Sequence, residues 1–152
     1  MSTTNFSGPV VSAAGFTSGM AGQLTDIAAS SESVTAGYQC TYADYDKTLF
    51  LADAASGDIV LPVVTLTGFR IRVVCNFAIT TSSGVLSAEG DNINGVLVVN
   101  SAMVRAAAED QINFIANTAL IGDYIDIVSN GTTWTVTGIG DDAGSITATD
   151  PA

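Results

Sequence analysis

From about residue 33 the chain runs in short stretches of alternating apolar and polar residues, separated by turn-forming residues. That is the pattern of an all-β domain. The longest stretch is GFRIRVVCNFAIT, where Phe69, Ile71, Val73, Cys75, Phe77 and Ile79 fall on one face. Arg70, Arg72, Val74, Asn76, Ala78 and Thr80 fall on the other, a period of two that predicts a central strand. KTLFLAD and GDIVLP precede it, the latter ending where Pro62 withdraws a ladder donor and holds Leu61 extended. GVLVVN, QINFIAN, GDYIDIVS, TTWTVTG and GSITAT follow as further strands.

Residues 122–138, GDYIDIVSNGTTWTVTG, predict a hairpin closed by a two-residue turn at Asn130-Gly131, with positive φ supplied by those residue types. Ile125 and Ile127 share one face of it, as do Trp134 and Val136 on the returning strand. The threonines at 132, 133, 135 and 137 suit a pleated, mildly polar face open to water or to a partner. SAMVRAAAED is ambiguous: its alanines favour helix, while its brevity and β neighbours favour a strand or a single helical turn. Gly-Asp at 57–58, 90–91 and 122–123 reads as turns leading into strands, since the residues around them do not repeat.

Residues 1–25 carry no charged side chain. Pro9 and the glycines at 8, 15, 19 and 22 argue against a continuous helix there. A solvated tail would carry more charge. The expectation is an extended docking arm over 1–25, with Phe6, Val10, Val11 and Phe16 as plugs for a neighbouring surface, followed by a single β-domain over 26–152. That domain is expected to be a compact antiparallel β-sandwich or barrel-like fold.

The 152 residues are one domain's worth, enough to bury roughly two thirds of the unfolded surface. Charged residues are 12%, about half the usual share, and hydrophobic residues 47%. The longest apolar runs, such as Val96-Leu97-Val98-Val99, fall far short of the ~18 residues that span a bilayer. The start of the chain lacks the basic and apolar regions of a secretory signal. A soluble protein assembled inside the producing cell is expected. Four basic against fifteen acidic residues give a formal net charge of −11, which repels phosphate backbones and anionic lipid, so neither nucleic acid nor membrane is an expected partner. Cys40 and Cys75 lack zinc-site spacing and any histidine to assist them; both read as reduced, with Cys75 in the core.

Histidine is absent, which removes Ser-His and Cys-His activation, and Lys47 is the single lysine. No phosphate-cradling loop is present, and GIGDDAG at 138–144 does not open a helix after a strand. Paired carboxylates, which hydrolyse glycosides without histidine, remain as Asp44 with Asp46, Glu109 with Asp110, and Asp141 with Asp142. Each lies in a polar or turn-like stretch that favours a structural use, and neither Asp44-Asp46 nor Asp141-Asp142 resembles a full calcium loop. The expectation is a protein that is not an enzyme, with no catalytic residue, cofactor or metal. Arg70 and Arg72 share a face of the best strand; they read either as solvated charges or as partners for carboxylates across a subunit interface, and the scarcity of basic residues favours the interface.

The order DYDKTLFLADAASGDIVLP, GFRIRVVCNFAIT, EGDNINGVLVVN, GDYIDIVSNGTTWTVTG resembles a module of virion proteins of tailed bacteriophages, especially capsid decoration (cement) proteins. FSGPVVSAAGF near the N-terminus resembles the start of such proteins. The likeness covers Asp44 to Gly138, and its motifs are turn and strand patterns. It implies a homotrimer made in the host cytoplasm and seated on the outer capsid surface, with the major capsid protein as partner. There it would bridge neighbouring capsomers and stabilise the head. The rival readings are a head-fibre or tail-associated trimeric receptor-binding protein, with Tyr38, Tyr42 and Tyr45 supplying any glycan contact, a carbohydrate-active enzyme using one of the carboxylate pairs, and a monomeric β-sandwich binding module.

Overall fold

The computed structural model describes residues 31–88 and 90–150. The expected arm, with Phe6, Val10, Val11 and Phe16, lies outside them. The described chain is all-β, a sandwich of two sheets. One contains β1 (Ser31–Val34), β3 (Lys47–Leu51), β5 (Arg70–Cys75), β7 (Ile93–Val99), β8 (Ala102–Glu109), β10 (Tyr124–Ser129) and β11 (Trp134–Gly140). The other contains β2 (Tyr38–Gln39), β4 (Ile59–Val60), β6 (Ser83–Leu86), β9 (Gln111–Phe114) and β12 (Ile146–Thr149).

The order of strands is β1-β3-β5-β10-β11-β7-β8 in the larger sheet and β12-β9-β6-β4-β2 in the smaller. From β1 to β7 the chain alternates between the two sheets at every strand. Parallel neighbours need a crossover. Here that crossover is a strand of the opposite sheet, so β1, β3 and β5 run parallel to one another, as do β2, β4 and β6. The pairing is therefore mixed rather than wholly antiparallel. Antiparallel ladders enter with β5–β10, β10–β11, β7–β8, β6–β9 and β9–β12.

Alternation decides which side chains meet between the sheets. Leu49, Leu51, Ile71, Val73, Ile125, Ile127, Trp134, Val136 and Leu97 from the larger sheet share one core with Ile59, Val85, Ile112, Phe114 and Ile146 from the smaller. Trp134 is fully buried and meets Phe69 edge-to-face, centroids 6.1 Å apart. Cys75 and Cys40 are buried free thiols.

Two sequence expectations are corrected and one open segment is resolved. The long run does not continue to Thr80: β5 stops at Cys75, where the chain leaves to begin β6 in the other sheet, so Phe77 is exposed while Ile79 returns to the core. The two-residue turn is not at Asn130-Gly131, because Ser129 pairs with Trp134 and four residues lie between them. Gly131 has φ 93°, but Asn130 works through its side chain, whose Oδ1 accepts from the Thr132 and Thr133 amides at 2.8 Å. The mirror-image two-residue turn sits instead at Asn100-Ser101, both at positive φ, between the paired residues Val99 and Ala102. The ambiguous SAMVRAAAED is largely strand, β8, because pairing with β7 overrides the helical preference of alanine.

One close approach ties β7 to its neighbours. Gly95 faces inward, and a β-carbon there would collide with the Val136 carbonyl oxygen on β11. A register shift between Ile93 and Asn94 accompanies it, with Asn94 Oδ1 accepting from the Ala108 amide at 3.0 Å. Gly95→Ala is expected to destabilise the fold by about 1–3 kcal/mol through overpacking, read as a lower urea midpoint. An unchanged midpoint would show that β7 and β11 are not packed this closely.

Candidate interaction face

The core fixes one side of the larger sheet and leaves the other to solvent. Following the register across that outer side, Phe50, Val74, Tyr124, Ile139, Val98 and Met103 stand next to one another on six successive strands. Ile139 is 50% exposed, Val98 43% and Met103 82%. Two residues further along the strands lies a second row, Thr48, Arg72, Asp126, Thr137, Val96 and Arg105. A third holds Arg70, Val128, Thr135 and Asn94. The face is apolar at one end and carries ion pairs further along.

Those ion pairs lie within the chain. Arg72 grips Asp126 on the adjacent strand with both Nε and Nη2, at 2.7 Å each, and its guanidinium lies 4.7 Å from the centre of the Tyr124 ring. Arg70 Nε donates to Asp46 Oδ1 at 2.7 Å, and its guanidinium lies 5.9 Å from the Tyr45 ring. The carboxylate beside each guanidinium raises the arginine's pKa, and Arg70 in turn holds Asp46 below its usual range. Exposed pairs of this kind add little to the stability of a fold, because solvent screens them. They do shape the face: Arg70, Arg72, Asp126 and Thr137 line a shallow groove of about 480 Å³.

Arg105 was missed in the sequence because its segment had no assigned structure. On β8 it points to the same side as Val96, and no ion pair holds it among the described residues. It lines a second groove with Val96 and Met103. The smaller sheet supplies an internal contrast. Its outward positions are mostly polar, Gln39, Gln111, Asn113, Thr147 and Thr149, with one apolar pair, Val60 beside Leu86.

Of the carboxylates singled out in the sequence, Asp44, Asp46 and Asp142 have separate structural tasks. Asp44 is buried and joins Lys47, Tyr38 and Glu32 in a cluster that no sequence spacing suggested. Lys47 Nζ lies 2.8 Å from Asp44 Oδ1 and 3.1 Å from Glu32 Oε2. The Tyr38 hydroxyl lies 2.8 and 2.9 Å from the same two oxygens and donates to one at a time. Thr41 adds its amide and hydroxyl to Asp44 Oδ2 at 2.6 and 3.0 Å. Burial alone would raise the pKa of Asp44; hydrogen bonds from Lys47, Thr41 and Tyr38 outweigh it and hold the carboxyl below its usual range.

The Gly-Asp turns prove to be backbone clamps. Asp58 Oδ1 accepts from the Gly84 amide at 2.7 Å, Asp91 Oδ2 from Val64 at 3.3 Å, and Asp123 from both Leu120 and Asp141 at 3.0 and 2.9 Å. Asp142 bonds the Ala143 amide. Among the described residues no three His, Cys, Asp or Glu side chains gather where they would hold a metal ion. Burial pushes the Cys40 thiol up to about 12 and raises Cys75 as well, so neither is a nucleophile near neutral pH. No described helix is long and apolar enough to cross a membrane.

Comparison of the chain with protein-family models, with curated proteins and with solved structures finds no match.

Because the fold makes Asp44 more acidic than it is in the unfolded chain, its contribution to stability is complete above the unfolded carboxylate value of about 3.9. It is lost as pH falls through the lower folded value. Asp44→Asn is expected to cost about 2–3 kcal/mol at pH 7. The gap from wild type should narrow below pH 4, measured by urea unfolding at pH 7 and pH 3. An equal gap at both would contradict the charged cluster.

Proposed function

We propose that the protein is a virion structural protein, a capsid decoration or cement protein that binds the outer capsid surface as a homotrimer and bridges neighbouring capsomers. The observation that carries the reading is the outer face of the larger sheet: a broad surface of exposed apolar side chains beside ordered arginines, on a fold in which Asp58, Asp91, Asp123 and Asp142 are occupied with backbone amides. Such a surface suits contact rather than turnover. The likeness of its strand and turn segments to phage decoration proteins supplies the setting.

In this reading Arg70 and Arg72 belong to the subunit interface, and residues 1–25, with Phe6, Val10, Val11 and Phe16, dock on the major capsid protein. Three arms on one trimer make each contact after the first intramolecular, so weak contacts sum to a tight clamp. A head-fibre or tail-associated receptor-binding trimer is the second reading. A specific feature favours it: Tyr42, 73% exposed, and Tyr45 line a groove of about 410 Å³ with Thr65 and Thr67, a composition suited to stacking and hydrogen-bonding a sugar.

Deletion of residues 1–25 is expected to leave a folded oligomer that binds DNA-filled heads at least about tenfold more weakly in co-sedimentation, as loss of one arm per subunit implies. Full binding by the truncated protein would remove the docking role of the arm. Replacing both Arg70 and Arg72 by Ser is expected to weaken oligomerisation in sedimentation velocity. An unchanged oligomer would take these residues out of the interface.

A further inference from the structure

The sequence reading placed Arg70 and Arg72 at a contact between copies, yet both are already neutralised within the chain. Among the described residues the cation without an ion pair is Arg105, two residues along β8 from Met103, which ends the apolar row. We propose that this end of the outer face, built from Tyr124, Ile139, Val98, Met103 and Arg105, receives a second copy of the chain, whose carboxylate takes Arg105. The inference deepens the oligomer reading above by naming its contact and partner.

Charge distribution selects a second copy. The three arginines of the chain all stand on this face against two aspartates, leaving it one positive charge. The other described residues, one lysine against eleven carboxylates, carry ten negative charges. Copies therefore repel one another through every arrangement that avoids this face and attract when it meets an acidic flank. Such a contact joins two different patches, which is the head-to-tail kind that closes cyclic rings, a trimer among them.

Size and composition agree. Centred on that end, a contact that continues over all seven strands, about 4.8 Å apart and about 20 Å long, covers roughly 580 Å² in projection. That approaches the roughly 800 Å² per partner of a stable interface. Met103 and Arg105 belong to residue types enriched in such contacts, and their strand, β8, is one of the two edge strands of the sheet. The outward positions of the smaller sheet carry a single apolar pair, Val60 beside Leu86, among glutamines, asparagine and threonines, where the larger sheet has a row across six strands.

The test is sedimentation velocity of the full chain over a range of concentrations. Wild type is expected to assemble, while Arg105→Glu and the pair Met103→Glu with Ile139→Glu weaken association at least about 30-fold, the scale of a central contact residue. Thr147→Glu, on the smaller sheet, should change it little. Circular dichroism checks folding, and Arg105→Glu replaces an exposed side chain should the double variant misfold. Folded variants that sediment as wild type, or a wild type that stays monomeric at high concentration, overturn the proposal. Capsid co-sedimentation separates the two claims: a chain that assembles through this face and leaves capsids bare keeps the contact and removes the decoration role.

Discussion

Everything on the outer surface of the larger sheet follows from the need of its inner side chains to meet the smaller sheet. Side chains alternate along a strand, so a slip of one residue would carry Ile71, Val73, Ile125, Ile127, Trp134 and Val136 out to water. Each such side chain is worth about 1.5–3 kcal/mol when buried, and several would be lost together. Register is therefore set by the core. Once it is set, the outward residues have no choice of neighbour: Tyr124 stands beside Ile139, Ile139 beside Val98 and Val98 beside Met103. The apolar row is a consequence of pairing as well as of composition.

The same economy governs charge. Asp58, Asp91 and Asp123, in the Gly-Asp turns, bind amides, and Asp44, a candidate acid or base in the sequence, turns inward to hold Lys47. These contacts tie loops of a winding chain to one another. The arginines are gathered on the outer face, where ion pairs with Asp46 and Asp126 hold two of them in place. A protein made this way has one distinctive face, the outer side of the larger sheet.

Much of the body was legible in the chain itself. The alternation of GFRIRVVC marked a buried strand, and Ile125, Ile127, Trp134 and Val136 were read onto the face they occupy. What alternation does not encode is the partner of each strand, so the parallel neighbours β1, β3 and β5 were invisible. Turn chemistry misled where Asn-Gly suggested the tight turn that Asn100-Ser101 makes without glycine. Alanine obscured β8, because its helical preference is weak enough for one ladder to override, and Arg105 was hidden with it. Glu32, Tyr38, Asp44 and Lys47 meet only because β1 lies alongside β3, a long-range fact that no local motif carries.

A virion protein that works by coating a head must be present in numbers that match the lattice. The most direct measurement is its copy number in purified particles, by quantitative mass spectrometry against the major capsid protein. The account predicts a count comparable to that of the major capsid protein. Absence from the particles would contradict it, and a handful of copies would move the protein to a fibre or tail.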